Sequence, residues 1–444
     1  MPRRLAGTAP ADRERAMDAD TSTGTAVDSL CREYGYPPEV RALLDETVRI
    51  LAALRPHSVL LHGSASRGEL TWWRDGAGQV QLGSDIEMYV VGDAPPGGAG
   101  WAGAARALRA VEERVNRAGP RLFHLDASLT TLERLRRHPP TFRCWDVRAT
   151  GRTLLGADVR GELPALDARS IDLRQLNEVP IHRLWEMVFR VPAALVRGAG
   201  TPEDARTARY TWARQALDLT TWLLPHAGVM IPTFQKRVRA WRAEAARPPL
   251  ARYFAPGSAE LLERSLEGKL RLRFQQEPPQ LHLEVLEAFR AGLRMLLSLS
   301  AAASDVEIAR AAVAQGRRLW PVETPRRRAY EAYLAVRTGA VARPHRAIPW
   351  LLRAKRPEQL GFLLNLNAAL SALLHGRGAA ASLDLADRSL ARLWPGFRPR
   401  GGSDVDRFLA ARRGYVDYLV GSSRWFGPRR AYLYSVLEES CGRA

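Results

Sequence analysis

Cysteine is scarce: the 444 residues hold three, Cys31, Cys144 and Cys441, far apart in the chain. Three scattered thiols argue against a disulfide framework and against a zinc site, and point to the cytoplasm. Long apolar runs are missing as well. None approaches the roughly 20 residues that a membrane-spanning helix needs, so no membrane role is expected. The opening stretch MPRRLAGTAPADRERAMDAD has no apolar core and does not read as a secretory signal. There is no GxxxxGK(S/T), no HExxH and no GxSxG, so P-loop, zincin and α/β-hydrolase chemistry lack support. No period of 20–50 residues marks a solenoid. Acid is in deficit too: 47 Asp and Glu face 66 Lys and Arg, a formal charge of +19.

What is present is ordinary in bulk. A hydrophobic fraction of 46% and a charged fraction of 25% suit a globular protein, and the length allows two or three domains. The basic surplus is uneven. Residues 310–357 hold twelve Arg or Lys against two acids, Glu323 and Glu331. Such a segment attracts nucleic acid or a polyanionic substrate, or else forms a solvated steering surface.

Taken in order, residues 1–37 read as a flexible tail. Val40, Leu43, Leu44, Val48, Leu51 and Leu54 recur at helical spacing over 38–55, with Pro38 suited to the first turn and Pro56 ending it. A strand is predicted at 58–62. The Gly63-Ser64 turn follows, then a short helix from 65. Trp72 to Gln81 read as an inserted hairpin turning at Asp75-Gly76 or at Gly76-Ala77-Gly78. Further strands are predicted at 85–91 and 121–129, around a helix at 104–117. From about 150 the pattern turns helical, with segments at 178–191, 203–226, 259–266, 281–302, 305–316, 359–375, 381–393, 403–420 and 430–440. Most of the twelve Trp fall on apolar stripes of this region and read as core.

The chemistry concentrates between Ser58 and Val91. Asp85 and Glu87 stand at i and i+2, so on a strand they share a face. Asp126 sits mid-strand on the polar face of 121–129, with Leu122, His124 and Ser128. Three hard carboxylates beside a Gly-Ser turn suit magnesium and a triphosphate. Gly63 has no Cβ and lets a phosphate approach the backbone. Ser64 offers a hydroxyl and an N–H near a helix start. Arg67 adds a cation for a phosphate. His62 and His124 read as supporting residues. Gly98-Ala99-Gly100-Trp101-Ala102-Gly103 fits a dinucleotide fingerprint in letters. The loop from Gly92 keeps it off the strand, however, and Trp101 is too bulky beside a pyrophosphate.

These residues resemble the DNA polymerase β-like nucleotidyltransferase superfamily. Its pattern is an apolar strand, Gly-Gly or Gly-Ser, a gap, Asp-x-Asp/Glu in a second strand, and a third acid on a later one. Here it reads Leu60-Leu61-His62-Gly63-Ser64, then Ser84-Asp85-Ile86-Glu87-Met88, then His124-Leu125-Asp126. Gly63 to Glu69 is similar to the kanamycin-nucleotidyltransferase-like and minimal branches. The resemblance covers residues 58–130 and fades through 178–226. One departure is the gap: 20 residues separate Ser64 from Asp85, more than the family usually has. The hairpin absorbs the excess if it loops away from the site.

The resemblance implies an α+β protein, with a small mixed-sheet nucleotidyltransferase domain followed by a large all-α region. The resemblance does not reach residues 245–444; the pattern of the chain itself places boundaries at 38–150, 151–300 and a basic helical domain at 301–444. The resemblance implies transfer of a nucleoside monophosphate from an NTP to a hydroxyl, with pyrophosphate released. Asp85, Glu87 and Asp126 would be catalytic residues and hold two Mg²⁺ ions. Gly63, Ser64 and Arg67 would bind the nucleotide. A small hydroxylated acceptor is expected, with RNA, tRNA or a protein as the alternative through segment 310–357. A catalytically weak nucleotide- or nucleic-acid-binding module of toxin–antitoxin type is a third reading. Three mutually repelling carboxylates argue against it.

Overall fold

The computed structural model describes residues 25–93, 99–117, 123–321, 329, 333, 355–394, 397–399, 401–422, 433, 434 and 437. The predicted helix at 430–440 and most of the basic segment 310–357 lie outside them. The chain divides into two units, Met1–Ile171 and Asp172–Ala444.

The first unit is a small mixed sheet between two helical layers. Residues 25–34 form helix α1, and Pro38–Ala52 form α2 with proline in its first turn. Strand β1, Ser58–His62, follows, and every residue of it is buried. Trp72–Arg74 and Val80–Leu82 (β2 and β3) pair only with each other, as the predicted hairpin. Asp75 caps its turn, its Oδ1 accepting from the Ala77 and Gln79 N–H groups at 2.9 Å each. Then come β4, Ile86–Val91; helix α3, Ala99–Arg117; and β5, Leu125–Thr130. Helices α4, Leu132–Arg136, and α5, Phe142–Thr150, lead to β6, Arg152–Gly156. The main sheet runs β5-β4-β1-β6, with β4 and β5 parallel and the other pairs antiparallel.

Alternation along β1 and β4 sorts the two cores. Val59, Leu61, Ile86, Met88 and Val90 face α1, α2 and α3. Leu60, Tyr89 and Val91 face α4 and α5, against Leu135, Cys144 and Val147. Glu87 shares the latter face, two residues before Tyr89.

Three features depart from the sequence pattern. Helix α1 takes in part of the expected tail, because Val27, Leu30 and Cys31 bury one stripe of it in the core. Strand β6 lies where the helical region was expected to begin; it completes the sheet beside β1. Helix α3 starts at Ala99, so Gly100 and Gly103 are helical and form no phosphate-binding turn.

The second unit is helical throughout its described residues. Its longest helix, Pro202–His226, opens on a capping box between Thr201 and Asp204. Trp212 and Trp222 are completely buried along it. The helix Lys355–Leu374 packs against Val179–Phe189, Pro278–Leu296, Asp305–Leu319 and Ala380–Leu393. It is buried on nearly every side, which explains why its sequence is apolar all round. Its buried Asn367 is satisfied: the side-chain amide donates to the Leu184 and Leu363 carbonyls at 2.9 and 2.8 Å, and Oδ1 meets His282 Nε2 at 3.2 Å. Phe234–Glu244 is a further helix that the periodicity did not single out. No helix of the described residues is long and apolar enough to cross a membrane.

Candidate active site

Strand β1 ends at His62, and the chain reverses through Gly63 at φ +76°. A left-handed residue is tolerated by glycine and resisted by residues with a Cβ. Ala65–Arg67 make one 3₁₀ turn, closed by Gly68 at φ 74°. The Ser66 hydroxyl donates to the Gly63 carbonyl at 3.0 Å, and the Glu69 N–H to the Ser64 carbonyl at 2.9 Å. Two tyrosines brace this turn from the end of α1 and just beyond it. Tyr34 donates to the Ser66 carbonyl at 3.1 Å and Tyr36 to that of Ala65 at 2.8 Å. The predicted turn is therefore a fixed loop, with the carbonyls of Gly63, Ser64, Ala65 and Ser66 each accepting a bond.

The long gap before Asp85 does not displace it. The insertion closes on itself at its base, where the Thr71 N–H donates to Ser84 Oγ at 3.0 Å. Ser84 Oγ returns a bond to Thr71 Oγ1 at 3.0 Å, and the Gly83 N–H donates to the Thr71 carbonyl at 3.0 Å. The chain leaves and rejoins at one point, and β2 and β3 stand apart from the main sheet.

The strand register then gathers the acids. His62 on β1 is opposite Glu87 on β4, and Glu87 is opposite Asp126 on β5. One row thus crosses three strands as His, Glu, Asp. Asp85 precedes β4 by one residue, two before Glu87 and on its face. All three carboxylate residues are partly exposed. Glu87 Oε2 lies 3.9 Å from His62 Nδ1 and sits over Gly63, where a Cβ would come within 2.3 Å of it. Asp126 Oδ1 has the Ser128 hydroxyl at 3.5 Å, too long for a firm hydrogen bond. The start of β5 is tied to α3: Glu112 accepts from the Leu125 N–H at 2.8 Å and pairs with His124 Nδ1 at 2.7 Å.

His62 is buried, and burial holds its imidazole well below the usual range; the guanidiniums of Arg143 and Arg67 push the same way. It is therefore a neutral neighbour of Glu87. Arg67 sits differently from the phosphate contact that its sequence position suggests. Its side chain is buried, with Nε 3.1 Å from Glu69 Oε2 and Nη1 bonded to Asp146. Burial works against its charge, and Asp146 and Glu69 overcome that. The guanidinium is committed to two carboxylates of the fold. Ser64 is partly exposed on the turn, and its side chain does not cap the 3₁₀ helix.

Carboxylate oxygens from Asp85, Glu87 and Asp126 are the right donors for a hard divalent cation. The backbone brings these residues to adjacent positions at one end of one sheet face. Their side-chain oxygens do not converge: among the described residues, no three His, Cys, Asp or Glu groups are placed to hold a metal. The donor chemistry fits Mg²⁺, and side-chain rotation would have to bring the oxygens together.

The basic segment is mixed at its two described ends: Arg310 and Arg318 are exposed at one, and the other is tied into the fold. Lys355 is buried, and Arg356 pairs with Glu178 at 2.9 Å. The sequence reading also missed Arg143, which reaches His62 from α5. Its partner lies 81 residues earlier, so no local pattern marks it. The chain matches no protein-family model and no curated protein.

Proposed function

We propose that this protein is a nucleotidyltransferase, moving a nucleoside monophosphate from an NTP to a hydroxyl of a small acceptor. The observation that carries this reading is the row His62–Glu87–Asp126, with Asp85 beside it and the Gly63-Ser64 turn at its edge. The closed hairpin base supports it further, because it removes the one departure of this chain from the superfamily pattern.

In the reaction, the acceptor oxygen forms a bond to the α-phosphorus and the bond to the β-phosphate oxygen breaks. Pyrophosphate leaves, and the acceptor proton is taken up by a base. Asp126, a partly exposed carboxylate beside Glu87, would take that proton or else complete the metal's ligands. Asp85, Glu87 and Asp126 would hold Mg²⁺, which when bound neutralises phosphate charge. Gly63, whose missing Cβ makes room for the Glu87 carboxylate, would turn the chain beside the nucleotide's phosphates, and Ser64 would present its hydroxyl to them. Arg67 acts indirectly: its ties to Glu69 and Asp146 fix the turn. Positioning and charge neutralisation supply most of the rate in such transfers.

Buried free thiols at Cys31 and Cys144 suit a reducing compartment and support the cytoplasm.

The test uses NTPs labelled at the α-phosphate, offered with Mg²⁺ and panels of polyols, aminoglycosides and total tRNA. Label that moves to a small hydroxylated acceptor supports the reading. Label that moves to tRNA keeps the reaction and replaces the acceptor. Label that stays on the nucleotide with every acceptor contradicts the proposal.

A further inference from the structure

The burial of Arg67 leaves the candidate site needing another cation if it is to hold a triphosphate. Arg143, in the first turn of α5, is exposed. Its Nη2 lies 3.4 Å from His62 Nε2, and its Cζ lies 5.4 Å from the centre of the Tyr89 ring. The His62 and Tyr89 rings are themselves in contact, tilted at 42° with centroids 4.7 Å apart. Both rings stand on the sheet face that carries Glu87, and His62 is in its row. The guanidinium therefore lies against the His62 end of the row that Glu87 and Asp126 share. The contacts described for it are with two uncharged rings, and neither neutralises it.

We propose that Arg143 is the triphosphate clamp of this site. Its N–H groups donate to the β- and γ-phosphates and carry the charge that builds on departing pyrophosphate. A planar fork matches phosphate oxygens two at a time, and a ring face fixes the fork's plane while leaving its edge N–H groups to the ligand. The approach of an anion beside Glu87 is otherwise opposed by three carboxylates, so a cation at this edge sets the direction from which the phosphates enter. This inference rests on the nucleotidyl-transfer reading and adds the residue that orients the leaving group.

The test measures binding of Mg²⁺ with a non-hydrolysable NTP analogue, and separately with inorganic pyrophosphate. The proteins are the full chain, Arg143→Ala and Arg143→Lys, with thermal melts alongside. Loss of one charge-assisted phosphate contact is expected to weaken both ligands by about 10- to 100-fold in Arg143→Ala, with Arg143→Lys recovering part. The melting temperature should hold, because the side chain is exposed. Should Arg143→Ala not fold, Arg143→Gln, which keeps most of the stem and an amide, takes its place. If the parent protein binds and Arg143→Ala binds equally well, the clamp assignment is overturned and the transferase reading stands. If the parent protein binds neither ligand, the transferase reading falls and the clamp with it.

Discussion

Glu87 on β4 and Asp126 on β5 are direct cross-strand partners on parallel strands. Like charges facing each other across a sheet oppose folding, and a pair kept in this position invites a counter-ion. Mg²⁺ should therefore raise the melting temperature of the full chain in a concentration-dependent way, as a ligand bound only by the folded state does. Asp126→Asn should melt at or above the temperature of the parent protein without Mg²⁺, and should lose most of the Mg²⁺ response. An equal Mg²⁺ response in both proteins would place the ion elsewhere.

Gly63→Ala tests the turn. Its φ of +76° is unfavourable for alanine, and the new Cβ would meet Glu87 Oε2 at 2.3 Å. The backbone term alone is about 1–2 kcal/mol, and Glu87 must also swing away. We expect a lowered melting temperature together with weaker Mg²⁺–NTP binding. A variant as stable as the parent protein, with unchanged binding, would mean that neither the turn nor the Glu87 position matters.

Arg67 and its partners are a structural ion cluster. Removing one member of a buried pair leaves an uncompensated charge, at a cost of about 3–5 kcal/mol. Urea denaturation of Arg67→Ala should show a loss of that size. Glu69 is fully buried and would lose its Arg67 partner. A loss under about 1 kcal/mol, the size expected of a surface pair, would contradict the cluster.

Acid should weaken the second unit before carboxylates titrate. Burial pushes His282 down to about 3, against its hydrogen bond with Asn367, and pushes His226 down to about 4. Unfolded imidazole titrates near 6.5. Below that pH the unfolded chain binds protons that the folded one refuses, so stability is full above about 6.5 and declines as pH falls toward 4 and then 3. Each group contributes up to about 1.4 kcal/mol per pH unit. Thermal melts from pH 8 to pH 5 should show the decline, and His282→Gln should make it shallower. A flat profile down to pH 5 would contradict neutral burial of these rings.

The parts of the fold that were legible in the sequence are those set by neighbours. Asp85 and Glu87 declare their common face by spacing, and Asp75 marks its own turn. What was illegible depends on residues far away. Arg67 reads as a free cation because its partner Asp146 comes 79 residues later. Helix α1 is obscured by the polar stretch before it, although Val27, Leu30 and Cys31 carry a helical stripe. Strand β6 is five residues long and too short to show alternation against a helical background. The register that sets Glu87 beside Asp126 is fixed by the crossing of α3 and by its Glu112 bond to β5, neither of which the motif itself contains.

The most direct test of the account is Mg²⁺-dependent pyrophosphate release, measured with each NTP for the full chain and for Asp85→Ala. Charge stabilisation by a bound ion is worth several kcal/mol, and each ~1.4 kcal/mol is tenfold in rate, so Asp85→Ala should be slower by about 100-fold or more. The account predicts release by the full chain, dependence on Mg²⁺, and that loss. Release that is indifferent to Asp85, or no release and no NTP binding with any nucleotide, would contradict it.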